Sequence, residues 1–256
     1  MGISFSSRNR PDTLKICLNQ VHKFLSPEKY DYVISVVNDL GDSMWDDQYA
    51  AVMQSLPMVV WHKSTERLGI ANTKNRGISI LREYNCNHFF LFDDDTFSVK
   101  KGWEDLYIEV ANRNGVHHLM HLIPLPAGFD LIRKEKGICE YSQCCGVLLY
   151  FTRQAIDTVG GYRKDFAIYG YEHVELSLRC NLAGLQPNWG SYISPEKTRE
   201  YIYSLDLDLN NWGIHPPDFV VTPEMWRSSI QGEDVQAYIN YNSQFFTIRE
   251  PIFEEI

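Results

Sequence analysis

The chain has 256 residues, 44% of them hydrophobic and 22% charged, with a formal net charge of −9 and a sequence pI near 5.4. Such a chain buries a full core as one domain, or as one domain with a structured tail, and is not disordered. Its acidic balance supplies no overall field that would attract nucleic-acid phosphates, so a nucleic-acid partner is disfavoured.

At the N-terminus, "MGISFSSRNRPD" lacks the long apolar stretch of a signal peptide, and Arg8 and Arg10 interrupt it too early for a membrane span. Gly2 and Ser6 fit a myristoylation pattern over a short match only, and the same residues read better as a first strand. Six cysteines (Cys17, Cys86, Cys139, Cys144, Cys145, Cys180) have no paired metal-ligand spacing and read as reduced core thiols. The corresponding expectations are a cytoplasmic protein and no transmembrane segment.

"GISFSS" opens a strand; Pro11 and Asp12 suit a helix start, and Leu14, Leu18, Val21 and Leu25 fall on one helical face before Ser26-Pro27 ends it. "YDYVISVVND" is a second strand ending in acids. Tyr49, Val52, Met53 and Leu56 form the stripe of a second helix, and "MVVWHK" is a third strand. In "ERLGIANTKNRGISILREY", Ile70, Ile78, Leu81 and Tyr84 suggest a helix whose early part is unusually polar. "HFFLF" then delivers Asp93, Asp94 and Asp95.

Beyond these lie a helix at "WEDLYIEVANR", strands at "HHLMHLIP" and "CGVLLYF", and a short helix at "RQAIDTV" closed by Gly160-Gly161. From Glu172 a further helix shows Val174, Leu178 and Leu182 on one side and stops at Ala183-Gly184. Glu175 and Arg179 have the i,i+4 spacing of a helix-surface pair. Residues 185–256 have little periodicity and read as a wrapped C-terminal segment or lid, with a helix around "GEDVQAYINYNSQF".

Alternating strands and helices imply an α/β fold with a Rossmann-type, mostly parallel central sheet flanked by helices, and a smaller sheet and helix layer on the second half. Ligands bind such sheets outside the carboxyl ends of the strands. Those ends carry Ser6 to Arg10, Asn38-Asp39 and Asp93 to Asp95, so three polar clusters should converge on one edge.

The acids raise the chemical question, because three adjacent carboxylates repel one another. A D-x-D turn can hold a divalent cation that keeps open positions for diphosphate oxygens, although a bare D-x-D is also compatible with a solvated loop. Arg8 and Arg10 beside small hydroxyl residues can hold phosphate or a base edge. Asp39 can accept from a base or ribose, or cap a turn. Lys74 and Arg76 crowd the opening turns of a helix. Glu172, in a first helical turn, is favoured as an ionised acceptor-binding or proton-accepting group.

The succession "FSSRNRP", "VVND", "GIANTKNRG", "FLFDDDT" and "GGYRKDFAIYGYEHVELSLR", over about residues 3 to 185, resembles the nucleotide-diphospho-sugar glycosyltransferases of the GT-A fold, in particular the large family-2-like group. The resemblance implies one GT-A-like domain over 1–256, with a nucleotide-binding half (1–97), an acceptor and catalytic half (98–185) and a C-terminal extension or lid (186–256). Ser6, Arg8, Arg10 and Asp39 would line the nucleotide pocket, with Lys74, Arg76, Asp93 and Asp94 near the nucleotide or its diphosphate. Asp93 and Asp95 would hold Mn2+ or Mg2+, with His215 as a further ligand. Glu172 would face the acceptor hydroxyl or the sugar.

Where many inverting relatives have Glu-Asp, this chain has Glu172-His173, so His173 is a candidate base and the stereochemical class is open. The expected partners are a nucleotide-diphospho-sugar donor, most simply a UDP-sugar, and an acceptor hydroxyl on a glycan, a lipid-linked sugar, a protein or a modified nucleobase. Two other readings stand beside it. A sugar-nucleotide nucleotidyltransferase normally has a glycine-rich phosphate loop after its first strand, which "SFSSRNRP" lacks. A non-catalytic module binding a nucleotide-sugar or Ca2+ would keep the same clusters without turnover.

Overall fold

The computed structural model describes residues 1–122, 129–166, 168–205, 236–237, 253–254 and 256. The first half alternates as expected: β1 (Gly2–Ser7), α1 (Pro11–Lys23), β2 (Val33–Asn38), α2 (Asp46–Ser55), β3 (Val59–Lys63), α3 (Gly69–Glu83) and β4 (His88–Asp93). The second half adds β5 (Thr96–Ser98), α4 (Trp103–Asn114), β6 (His118–Met120), β7 (Leu131–Glu135), β8 (Ile138–Tyr141) and β9 (Leu148–Thr152). It continues with α5 (Arg153–Val159), α6 (Glu172–Leu182), β10 (Ile193–Pro195) and β11 (Ile202–Ser204).

The main sheet has the order β3-β2-β1-β4-β9-β6. β1 to β4 are mutually parallel, and β9 runs antiparallel between β4 and β6. The register sets Ser6 opposite Asp93 and Ser7 opposite Asn38, so the three polar strand ends lie side by side. Phe89 to Phe92 are all buried because β4 is covered on both faces. Phe92 stacks on Phe5 at 5.1 Å, while Phe90 meets Trp103 edge-on at 4.8 Å. Two small sheets, β10-β8-β7 and β11-β5, complete the second layer; the sequence pattern had signalled neither of their pairings.

Pro11 opens α1, whose Leu14, Cys17, Leu18 and Val21 are buried. On α3, Ile78 and Leu81 are buried as expected, but Tyr84 is exposed and Thr73, Lys74 and Asn75 lie inside. The apolar face expected of α6 is not the one that packs. Leu182 is exposed and Val174 and Leu178 are half-buried, whereas Glu172, Glu175, Leu176, Arg179 and Cys180 face the interior. Glu175 and Arg179 are therefore a buried pair, not a surface one. Arg179 Nε donates to Glu175 Oε1 at 2.6 Å, and its two other nitrogens donate to the carbonyls of Val159 and Gly161. A guanidinium fork with five donors is suited to closing a loop in this way.

All six cysteines are buried, and no disulfide joins them. Among the described residues, no helix is long and apolar enough to cross a membrane. Most of the expected C-terminal lid, including the body of the helix over 232–245, lies outside the described residues. Glu254 is described and pairs with the end of α5, donating to Val159 O and accepting from Gly161 N, both at 3.0 Å.

Candidate active site at the strand ends

The triplet that ends β4 is neutralised from within the chain. Ser7 Oγ donates to Asp94 Oδ2 at 2.6 Å and also meets the Tyr49 hydroxyl at 2.8 Å. The guanidinium of Arg10 spans Asp94 and Asp95, with Nη1 donating to Asp95 Oδ2 at 2.7 Å and Nη2 to Asp94 Oδ1. Tyr49 OH accepts from the Arg10 amide, which fixes the start of α1 over the acids. Burial raises the Asp94 carboxyl above its ordinary range, against the pull of Arg10.

Asp39 serves the backbone. Its two oxygens accept from the amides of Leu68 at 2.7 Å and Gly69 at 3.2 Å, and Arg67 Nε lies 3.2 Å away. It thus caps α3 from a distant strand end, where a carboxylate is favoured by the unpaired amides and the helix dipole. Gly69 is required there: its φ is +74°, and a Cβ would stand 2.9 Å from Ile168 Cα. Arg8 lies beside this turn, its Nε donating to Leu40 O at 3.1 Å. Ser6 is half-buried next to Asp93 in the sheet. Arg76 is exposed, near His62, and two positions along the helix from Lys74 it points to a different side.

Lys74 turns inward and is fully buried. Its ammonium lies 2.8 Å from Asp93 Oδ1 and 3.0 Å from the Gly146 carbonyl. Burial opposes the charge on Lys74, but Asp93, Tyr162 and Glu172 together outweigh it, so the amine is held above its ordinary value. Gly146 in turn underlies His173, since a Cβ on it would stand 2.7 Å from the imidazole. His173 Nδ1 lies 3.0 Å from Glu172 Oε1, and Glu172 Oε2 accepts from Gly170 N at 2.8 Å. Burial opposes ionisation of Glu172, but His173 and Lys74 hold its carboxyl below the ordinary range. Asp93, Lys74, Gly146, His173 and Glu172 are therefore one continuous set of contacts across the edge of the sheet.

Asn75 reinforces that bridge by clamping the Tyr162 backbone, accepting from its N–H at 2.7 Å and donating to its C=O at 2.8 Å. Sequence reasoning missed Tyr49, Arg67 and Gly146, and gave Ser7 and Asn75 no role of their own. Only Gly146 carried a usable sign, a glycine directly before an apolar strand, which often marks a close approach.

Among the described residues, no three His, Cys, Asp or Glu side chains gather into a closed metal cage. His215 lies outside the described residues. The donor set suits a different kind of site: Asp93 keeps 22% of its side chain exposed beside Asp95, and hard cations such as Mg2+ are commonly held by one or two carboxylates with substrate phosphates completing the shell. Asp93 and Asp95 fit that description.

A mostly parallel sheet, acids at its carboxyl edge and a glutamate on the facing helix define a GT-A fold. The chain resembles the GT-A glycosyltransferases in fold and in sequence, as its motifs indicated. Residues 131–204 match the family described as N-terminal domain of galactosyltransferase, a segment that includes Glu172 and His173. An uncharacterized glycosyltransferase of Acanthamoeba polyphaga mimivirus is 28% identical over 125 residues, covering 47% of this chain and 48% of the viral protein. The chain thus aligns with about half the length of that curated relative.

Among solved structures, GalNAc-T7 with UDP, GalNAc and Mn2+ superposes with a TM-score of 0.60 at 14% identity, over 80% of this chain and 44% of that one. The mannosyltransferase PcManGT from Pyrobaculum calidifontis, in complex with GDP-Man and Mn2+, gives 0.54 at 13% identity, over 72% and 52%.

Proposed function

We propose that this chain transfers a sugar from a nucleotide-diphospho-sugar, most simply a UDP-sugar, to an acceptor hydroxyl. The observation that carries the reading is the unbroken contact from Asp93 through Lys74 and Gly146 to His173 and Glu172. It supports a reading of Asp93 and Asp95 as donor-side acids and of Glu172 and His173 as a proton-accepting pair at one edge of the sheet, where α/β folds bind ligands. The nucleotide sugars or nucleotides and Mn2+ named for the two structural neighbours support a divalent cation and a nucleotide-sugar donor.

Residues 1–97 supply the nucleotide side, with Ser6, Arg8 and the Asp39 turn around the base and ribose. Asp93 and Asp95 would hold Mn2+ or Mg2+, which supplies a Lewis acid to the leaving diphosphate. Lys74 holds Asp93 in place. Glu172 is 2% exposed, too enclosed to reach an acceptor, whereas His173 keeps 21% of its side chain exposed. With Nδ1 bonded to Glu172, the ring nitrogen left to take a proton is Nε2. The acceptor hydroxyl gives its proton to Nε2 as its oxygen bonds to the anomeric carbon. The bond from that carbon to the diphosphate breaks, and the nucleoside diphosphate leaves with the electron pair. A base on the acceptor side suits a single in-line displacement, which inverts the anomeric centre.

Six buried cysteines with no disulfide among them support a reducing, cytoplasmic setting. The acceptor class is tested with glycans, lipid-linked sugars, proteins and modified nucleobases in one assay. Release of nucleoside diphosphate is measured for a panel of nucleotide sugars with Mn2+ and with chelator, for the wild type and Asp95→Ala. The reading predicts Mn2+-dependent release from one donor, abolished in Asp95→Ala. Binding without release would leave a non-catalytic module, and pyrophosphate formation from a nucleoside triphosphate and a sugar phosphate would indicate a nucleotidyltransferase.

A further inference from the structure

The three adjacent carboxylates are drawn together by cations belonging to the chain itself, and the two cations are held very differently. Lys74 is 1% exposed and its ammonium is shared between Asp93 and the Gly146 carbonyl, an anchored arrangement. Asp94 has one oxygen on Ser7 and the other on Arg10. Asp95 is held loosely by comparison: Oδ2 accepts from Arg10 Nη1 at 2.7 Å, and Oδ1 has only a 3.4 Å contact with the Thr96 hydroxyl. The Arg10 side chain keeps 12% exposure, and its Nε meets no acceptor. Of the two carboxylates that Arg10 spans, Asp95 thus has the weaker support from other side chains among the described residues.

We infer that Arg10 is a resident counter-ion that competes with the divalent cation for Asp95. This inference rests on the proposed reading that Asp93 and Asp95 hold that cation. The guanidinium bridges Asp94 and Asp95 and offsets their repulsion, so the strand end does not need a metal for its charge balance. When a cation binds, Asp95 turns to it and Arg10 keeps Asp94, whose second oxygen Ser7 already fixes. A positive charge so close to the ligands weakens cation binding by the protein alone. The diphosphate of a donor adds negative charge on the other side of the cation and tips the exchange, so cation and donor bind cooperatively. Arg10 is in this account a positioning residue, and its removal has an unusual sign: metal binding improves.

The test uses the full chain without nucleotide. Mn2+ binding is followed by loss of the free-ion EPR signal for the wild type, Arg10→Met, Arg10→Lys and Asp95→Asn, with thermal midpoints in Mn2+ and in chelator. Arg10→Met is expected to bind Mn2+ about tenfold tighter than the wild type, from the loss of one nearby positive charge. Its midpoint should also rise more on adding Mn2+, because stabilisation follows ligand affinity. Arg10→Lys keeps the charge but cannot span two carboxylates, and falls between.

Folding of Arg10→Met only in the presence of Mn2+ would also support the exchange. Should Arg10→Met not fold in either condition, the same comparison on Arg10→Lys decides. Unchanged or weaker Mn2+ binding in the Arg10 variants overturns the inference, because a merely structural arginine could not improve affinity when removed. Equal Mn2+ binding by the wild type and Asp95→Asn overturns the underlying reading as well, whereas loss of binding confined to Asp95→Asn leaves that reading standing.

Discussion

The buried ammonium of Lys74 lies 2.8 Å from the carboxylate of the partly exposed Asp93, an ion pair that joins the third helix to the end of the fourth strand. The same ammonium donates to the Gly146 carbonyl beneath His173, so one side chain sets the spacing between the acids and the proton-accepting pair. Lys74→Met removes the buried partner of this pair and leaves the partly exposed Asp93 without its counter-charge. The expected loss is about 1–3 kcal/mol in urea unfolding, more than an exposed lysine contributes. A loss below about 1 kcal/mol would mean that Asp93 finds another partner.

Gly146→Ala tests the acceptor side alone. The added Cβ would stand 2.7 Å from the His173 ring, while the Gly146 carbonyl that Lys74 needs is retained. Pushing the ring away by about 1 Å to relieve that contact is expected to lower kcat about 100-fold with little change in the KM for donor. Steady-state kinetics separates the two constants, and an unchanged kcat would remove His173 from the chemistry.

Two buried histidines predict acid sensitivity. Burial lowers His118 from 6.5 to about 4 and His121 from 6.5 to about 3, the latter also repelled by Arg199. Between pH 6.5 and these values the unfolded chain takes up protons that the folded chain refuses. Their contribution is therefore fully present above pH 6.5 and is lost progressively as pH falls through that window. His118 Nε2 lies 2.8 Å from Ser177 Oγ and Nδ1 lies 3.0 Å from Tyr150 O, contacts that a glutamine amide can partly replace. In His118→Gln the stability lost between pH 7 and pH 5 should be smaller than in the wild type, read from urea midpoints at the two values. An unchanged slope would show that other groups govern acid unfolding.

Much of the fold was legible because its signals are local. The "HFFLF" strand, the Pro11 helix start and the alternation through Asp93 follow from period and turn chemistry, and parallel pairing then brings Ser6, Asn38 and Asp93 together. The packed face of α6 was not legible, because its interior is a charged pair. Periodicity counts Leu178 and Leu182 as core, and only tertiary context shows that Glu175 and Arg179 neutralise each other against the Val159 and Gly161 carbonyls. For the same reason, motif spacing could suggest arginines and a lysine near acids without indicating that Arg10 and Lys74 pair with the aspartates themselves. Asp39 was read with two roles open; its contacts display the helix-capping one.

The central claim is that Asp93 and Asp95 gather a cation and a donor diphosphate opposite Glu172 and His173. Crystals grown with Mn2+ and a UDP-sugar, measured at the manganese absorption edge, test it most directly. The account predicts an anomalous peak about 2.1 Å from carboxylate oxygens of Asp93 or Asp95 and from diphosphate oxygens, with the sugar between the cation and His173. A peak elsewhere, or a nucleotide bound away from this edge of the sheet, would contradict it.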